Sequence, residues 1–465
     1  MRFLSPGEIA DFAPQGPTPQ NPGDLTAPLR EGLKRAGHWS SEQVAGRVFP
    51  MACVALEVTQ RCNLDCTLCY LSESAEAVSD LPMPEIERRL DQIHAHYGDH
   101  TTVQITGGDP TLRSADDLKQ IVASVRRRGL RAALFTNGIR ATRALLTRLA
   151  QAGLNDVVFH VDMTQNRRGF ASEVALNRVR EDYIDRARGL GLRILFNTTI
   201  FSGNVEEVPA IIRYFRSRAG TVSLASFQMQ ADTGRGLLRE RDAGAVNQAR
   251  LKTLIQRGVG TETGFDAPRV GHPDCNAYTA LLVAGEATTP LYGDPAFVAD
   301  LFTRMANMPG NWSNEPAMLW RAVKAALASP RLFGRAVRCL ARMAWALRSG
   351  LLRGHRPRRI AFFVHNFMDA EKLERDRCEA CVFMVATAEG PLSMCVHNAK
   401  RESMILKPVT LPDGTVWQPL GAHARSDGGV VHALPAKRRK GRARVPITFS
   451  GRTSRHSGTN HRQTG

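Results

Sequence analysis

Apolar positions in the first half of the chain alternate between two patterns. Short, mostly apolar runs read as strands: Cys53–Thr59, Thr102–Thr106, Arg131–Thr136, Asp156–Val161, Leu192–Thr199 and Thr221–Phe227. Between them, apolar residues recur three and four apart. Ile86, Leu90 and Ile93 mark a helix over Pro84–Tyr97, and Leu118, Ile121, Val122 and Val125 mark another over Asp116–Arg128. Leu145–Ala152, Tyr183–Gly189 and Val208–Phe215 continue the helical series, and Gly129, Gly153, Gly191 and Gly220 mark the turns that follow helices. Strands alternating with helices in this way predict an α/β fold of parallel β/α units, closed as a barrel or partial barrel.

The order of these patterns divides the chain into four stretches. Residues 1–50 form a polar lead-in with Pro14, Pro17, Pro19 and Pro22 and a short helix around Ala27–Ala36. Residues 51–235 carry the alternating core, 236–410 a helical, cysteine-containing extension and 411–465 a basic, disordered tail. At 43% apolar residues the chain has enough material for a large core. The net charge of +18 is unevenly placed. Ala317–Ile360 holds eleven Lys/Arg and no acid, and Lys437–Gly465 holds nine and no acid, which leaves −2 for everything else. This is a near-neutral body with two basic appendages, unlike a dedicated nucleic-acid binder, so no specific nucleic-acid partner is expected. No uncharged apolar run of about 18 residues occurs, and the N-terminal stretch has an acid and a proline where a secretory core would run. Nine cysteines clustered in short motifs point to a reducing, cytoplasmic setting and metal binding rather than disulfides.

The cysteines carry the chemistry. Cys62, Cys66 and Cys69 lie in one loop directly after the first strand, spaced C-x3-C-x2-C. Three thiolates can grip one face of an iron–sulfur cube and leave one iron free. Zinc is the alternative, but it would want a fourth ligand that the loop lacks. Active sites on parallel β/α barrels sit where the strands end. Gly107-Gly108-Asp109-Pro110 follows the second strand and Asn137 the third. His160, Asp162 and Gln165 lie at the fourth, Asn197 near the end of the fifth, and Gln228 and Gln230 after the sixth.

The spacing of the cysteine loop, and the residues around it, resemble the radical S-adenosylmethionine (radical SAM) superfamily. The resemblance covers roughly residues 50–235. It implies a partial (β/α)6 TIM-like barrel, a [4Fe-4S] cluster on Cys62, Cys66 and Cys69, and S-adenosylmethionine on the open iron. It also implies a reductant protein such as a flavodoxin or ferredoxin. The family habitually has an aromatic before the third cysteine, where this chain has Leu68 with Tyr70 following, and Gly-Gly-Glu-Pro where this chain has Gly107-Gly108-Asp109-Pro110. The resemblance places Gly107, Gly108, Asp109 and Pro110 at the methionyl end of the cofactor, with the Asp109 carboxylate toward its ammonium. Asn137, Asn197, His160 and Asp162 are further candidates for cofactor or substrate contact.

Beyond the core, Cys275, Cys378, Cys381 and Cys395 stand in polar settings, while Cys53 and Cys339 sit among apolar residues and read as core thiols. The four resemble the auxiliary [4Fe-4S] set that many radical SAM enzymes carry in a C-terminal extension. Zinc is an alternative, as is a set completed by His397 or by substrate with Cys275 left out.

Within the basic stretch, Arg331, Arg335, Arg338 and Arg342 step around one stripe of a helix over Pro330–Gly350, beside a wide apolar surface and with Trp320 and Trp345 nearby. An arginine stripe without acids beside an apolar face predicts a helix lying in a membrane interface; a soluble helix with its arginines in water is the alternative. His272-Pro273-Asp274-Cys275 followed by Leu281-Leu282 is similar to the tetraether lipid synthase branch of the superfamily. The expectation is therefore hydrogen abstraction from a C–H bond of a lipid substrate, by an enzyme peripheral to the membrane surface. A peptide-modifying enzyme and a noncatalytic metal-binding regulator are the other readings.

Overall fold

The N-terminal lead-in forms two short helices, α1 (Pro6–Asp11) and α2 (Ala27–Arg35). All seven residues of β1 (Cys53–Thr59) are buried, as an unbroken run on a strand covered on both faces requires. The computed structural model describes residues 2–235, 246–265, 267–306, 308, 315–420, 426–427 and 430–431. The basic run at 437–444 and the remainder of residues 432–465 lie outside the described residues.

From β1 the chain alternates as its pattern predicts: α3 (Met83–Tyr97), β2 (Thr102–Gly107), α4 (Ala115–Arg127), β3 (Arg131–Thr136), α5 (Arg143–Gln151), β4 (Asp156–His160), α6 (Asn177–Ala187), β5 (Arg193–Ile200), α7 (Val208–Ser217) and β6 (Val222–Met229). Local chemistry sets the ends. The Ser114 and Thr142 side chains cap α4 and α5 by accepting from Asp117 N and Leu145 N. Buried Leu118, Ile121, Val122 and Val125 then hold α4 against the sheet. The α6 helix begins at Asn177, well before the predicted segment at Tyr183. Its first inward-facing residue is Arg180, fully buried and paired with the equally buried Glu173, so the pattern lacks the apolar position that would mark the start.

After β6 come α8 (Gln248–Val259), β7 (Asn276–Ala284), β8 (Ala287–Pro290), α9 (Pro295–Ala306), α10 (Glu315–Leu327), α11 (Pro330–Leu352) and β9 (Arg358–His365). Then follow α12 (Arg375–Glu379), β10 (Phe383–Thr387), β11 (Gly390–Ser393), α13 (Met394–Ala399), α14 (Arg401–Ile405) and the ladder of β12 (Val409–Thr410) with β13 (Val416–Trp417). One open sheet runs β11-β10-β1-β2-β3-β4-β5-β6-β9-β7-β8. The run from β10 through β1–β6 to β9 is parallel, while β11, β7 and β8 are antiparallel additions at the edges. The extension, read from its pattern as helical, thus also adds a strand to each side of the six-stranded core. Gln228 pairs with His365 on one side and Cys53 with Phe383 on the other. The chain divides into two units, residues 1–424 and 425–465; within the second, β14 (Ser426–Asp427) pairs with β15 (Val430–Val431).

The arginine stripe on α11 does not face water as one row. Arg335 pairs with Asp294 at 3.0 Å and Asp300 at 2.8 Å, and Arg342 reaches Asp294 at 3.4 Å. Arg331 and Arg338 remain exposed. The acids that hold half of the stripe lie near and on α9, distant in sequence from those arginines.

Candidate functional site

The loop after β1 is held by the strand ends beside it. Gly108 N donates to Thr59 O at 2.9 Å and Asp109 N to Arg61 O at 2.8 Å. A methyl group on Gly107, which has φ +123°, would lie 1.9 Å from Thr59 O, and one on Gly108 would lie 2.0 Å from Arg61 O. The two glycines therefore let the β2 exit lie directly against the stem of the cysteine loop. Further along the loop, Thr67 N donates to Thr164 O at 2.8 Å, and Tyr70 Oη donates to Gly107 O at 2.5 Å.

Two aspartates close strand exits by one device. Asp109 caps a 3₁₀ turn at Pro110–Leu112 and accepts from Thr111 N at 2.9 Å and Thr111 Oγ1 at 2.5 Å. It also accepts from Thr136 Oγ1 and Asn137 N, both at 2.9 Å, at the β3 exit. Asp162 caps the turn Met163–Gln165, accepts from Thr164 N at 3.0 Å and Thr164 Oγ1 at 2.5 Å, and takes Thr199 N of β5 at 2.8 Å. Each carboxylate is fully buried and clamps the neighbouring strand. Within the fold, Thr111, Thr136 and Asn137 together reach both Asp109 oxygens. Asp162 is likewise committed inward. Pro110 is buried at the start of its turn, where a missing N–H costs nothing.

The groups left facing the loop are Asn137, His160 and Asn197. Asn137 Nδ2 donates to Asn63 Oδ1 at 2.6 Å and lies 4.0 Å from Cys62 Sγ, while Arg167 Nη2 holds its carbonyl at 2.6 Å. His160 Nε2 meets Asp162 Oδ2 at 2.5 Å, and its side chain is 37% exposed. Burial alone would lower the imidazole, but the Asp162 carboxylate outweighs it and the pKa rises, while Asp162 falls well below the usual carboxylate range. Asn197 Nδ2 sits 3.4 Å from both His160 Nδ1 and Gln228 Oε1.

Cys62, Cys66 and Cys69 share one electrostatic neighbourhood. Burial pushes the Cys62 thiol up to about 11 and Cys66 well above its ordinary value; Cys69 adds to both, Cys62 and Asp162 to Cys66, and Asp109 to Cys62. Arg235 opposes this: its guanidinium is buried beside Cys69, and its backbone N–H donates to Leu71 O at 2.8 Å. The pattern did not single out Asn63 or Arg235. Both become site residues only because distant chain passes close to the loop. A positive group beside soft thiols suits a donor set that must ionise to bind an iron–sulfur cluster.

The second cysteine set also converges. Cys275 precedes β7, Cys378 lies in α12, Cys381 follows it and Cys395 lies in α13. Cys275 and Cys381 each raise Cys378 and Cys395, beyond the burial that lifts Cys275, Cys378 and Cys395. Arg377 Nε donates to Cys275 Sγ at 3.2 Å and Met368 N to Cys395 Sγ at 3.5 Å. Glu374 fixes Arg377 at 3.1 Å. His397 does not join this set. Burial lowers it to about 3, and its charged neighbours are Glu57, Arg401 and Arg89. It lines a separate cleft with Glu57, Gln60 and Arg89, which contains none of the predicted site residues. Among the described residues no three His, Cys, Asp or Glu side chains converge on a single metal ion.

A parallel β/α sheet thus presents a three-thiol loop with polar strand exits around it. Residues 56–215, from β1 into α7, match the model of the Radical SAM superfamily. Similar curated proteins are enzymes by name. The 7,8-dihydro-6-hydroxymethylpterin dimethyltransferase of Methanocaldococcus jannaschii is 28% identical over 186 residues, 39% of this chain and 36% of that protein. The Fe-coproporphyrin III synthase of Methanosarcina barkeri is 31% identical over 166 residues, 34% of this chain and 39% of that protein. The PqqA peptide cyclase of Xanthomonas axonopodis pv. citri is 32% identical over 166 residues, 35% of this chain and 44% of that protein. The chain spans less than half the length of each of these relatives. Among the described residues no helix is long and apolar enough to cross a membrane.

Proposed function

We propose that the chain is a radical SAM enzyme in which Cys62, Cys66 and Cys69 hold a [4Fe-4S] cluster and S-adenosylmethionine binds its open iron. The reading rests on one observation: the radical SAM domain brings these three thiols to the strand exits, next to Asn137 and Arg235. Bound and reduced there, the cofactors supply a 5′-deoxyadenosyl radical able to take hydrogen from a C–H bond. The chain's own residues position and shield. Asn137 and Asn63 fix the loop, Asp109 and Asp162 lock the strand ends behind it, and His160 and Asn197 face the mouth for ligand contact. Arg235 offsets thiolate charge.

Cys275, Cys378, Cys381 and Cys395 would hold an auxiliary [4Fe-4S] cluster, supported by their mutual proximity and by the N–H groups of Arg377 and Met368 aimed at two of the sulfurs. The finer reading of the substrate is a hydrophobic, lipid-derived molecule, in keeping with the similarity around His272–Cys275 to tetraether lipid synthases. A peptide substrate is the second reading, favoured by the PqqA peptide cyclase among the relatives.

Anaerobic reconstitution with iron and sulfide tests the core of this. S-adenosylmethionine and dithionite should yield 5′-deoxyadenosine, and the Cys62→Ala/Cys66→Ala/Cys69→Ala protein should not. No 5′-deoxyadenosine from the intact, reconstituted chain would overturn the enzyme reading. The triple variant should still retain about four irons and four sulfides; zinc in their place would refute the auxiliary cluster.

A further inference from the structure

The α10–α11 pair presents a surface that the domain's chemistry does not use. Each helix is bound to the fold on one side only. α10 packs on α9 and α11, and α11 packs on α9, β7 and β8 through buried Leu332, Cys339, Leu347 and Gly350. A methyl on Gly350 would lie 2.0 Å from Ala284 O, so this end of α11 sits directly on the β7 backbone. The opposite side is apolar and open. On α11, Phe333, Val337, Leu340 and Ala344 follow one stripe away from the buried one, and on α10 Leu319, Val323 and Leu327 do the same. Leu319 is 67% exposed, Trp320 59%, Leu340 64%, Trp345 68% and Leu352 87%. Such a concentration of large apolar side chains on two adjacent helices exceeds the scattered exposure ordinary for a surface.

The rim is cationic. Arg348 is exposed beside the α11 stripe, Arg331, Arg338 and Arg353 are exposed on the helix flank beyond Trp345, and no acid occurs between residues 317 and 360. Both tryptophans carry a cation over the ring, Arg348 at 4.0 Å from Trp345 and Lys324 at 5.3 Å from Trp320. Aromatic rings between an apolar face and a cationic rim match the boundary between acyl chains and headgroups. A helix of 23 residues carrying arginines on its flank lies along an interface rather than across it.

We propose that α10 and α11 form a docking surface for an anionic lipid bilayer, with Leu319, Trp320, Leu340 and Trp345 entering the headgroup boundary and Arg331 and Arg338 facing its charge. Charge decides the occupant. A second copy would bring the same acid-free cationic rim against itself, whereas a phosphatidylglycerol surface complements it. The ion pairs of Arg335 and Arg342 with Asp294 anchor α11 from behind and leave Arg331 and Arg338 for the membrane. The surface holds whatever substrate the radical SAM domain takes.

Vesicle flotation of the full chain, without added cofactor, tests this. The protein should float with phosphatidylcholine/phosphatidylglycerol vesicles, weakly with phosphatidylcholine alone, and be released by high salt. Leu340→Asp/Trp345→Asp should abolish flotation, and Arg331→Glu/Arg338→Glu should reduce it roughly tenfold. Both pairs are exposed, so far-UV circular dichroism and melting should match the wild type. Negligible flotation of the wild type on anionic vesicles overturns the proposal. So does equal flotation on both vesicle types, or a dimer that Leu340→Asp/Trp345→Asp disperses while vesicle binding is absent.

Discussion

The Asp109 carboxylate accepts the Asn137 backbone N–H at 2.9 Å and so ties the β2 exit to the β3 exit in a place sealed from water. Asn137 in turn reaches Asn63 in the cysteine loop.

Replacing Asp109 with Asn should lower stability by about 1–3 kcal/mol, because an amide nitrogen cannot accept from the Asn137 N–H and buries an unpaired donor. Thermal melting of the cluster-free protein checks this. An unchanged melting temperature together with weaker S-adenosylmethionine binding would show instead that the carboxylate faces the cofactor.

Gly107→Ala should be at least as damaging. It combines a positive φ with a methyl aimed at Thr59 O, so the β2 exit must separate from the loop stem. A loss of about 2–4 kcal/mol is expected, with iron binding at Cys62, Cys66 and Cys69 falling in parallel. Gly37→Ala, where φ is also positive but nothing lies within 4 Å of the added carbon, is the control and should leave iron binding intact.

Glu57 and Arg401 form a buried pair at 2.8 Å, with the Arg401 guanidinium 4.5 Å from the centre of the Tyr70 ring. Arg401→Met should cost about 3–5 kcal/mol by leaving a carboxylate alone in the core. Adding Glu57→Gln should recover a large part of that loss, which a double-mutant cycle on melting temperature measures.

The same pair sets a pH dependence. Burial by itself would raise Glu57, but Arg401 and its other neighbours bring it down to about 2 from 4.5. A depressed carboxylate stabilises fully above its unfolded value and loses that contribution as pH falls through the folded value. Stability should therefore drop by on the order of 3 kcal/mol between about pH 5 and pH 2. The Glu57→Gln/Arg401→Met protein should show a smaller drop over that range.

Much of the core was legible because its signals are local. Strand Arg131–Thr136 and the buried stripe of α4 follow from side-chain spacing alone, since sheets and helices have fixed periods. The start of α6 was not legible, because Arg180 holds an inward position that only its pairing with Glu173 makes tolerable. Nor were the two strands that flank the six-stranded core. β9 opens on two arginines and β10 is five residues long, so neither identifies its neighbour; pairing with β6 and β1 does. Among site residues, the three cysteines of the loop were readable from their spacing. The inward commitment of Asp109 was not, because its partners Thr136 and Asn137 stand on the next strand.

By itself the sequence determined the β/α alternation, the three-thiol loop and the uneven charge, all of which are written within a few residues of one another. The tertiary structure decided which groups share a neighbourhood. It gathered Cys275, Cys378, Cys381 and Cys395 from separate segments, set Arg377 against one of their sulfurs, and put Arg235 beside Cys69. It also split the α11 arginines between internal acids and solvent, leaving an apolar face outside. The physical reason is range. Backbone periodicity is a property of neighbours along the chain, whereas burial, ion pairing and thiol convergence depend on which distant segments exclude water together.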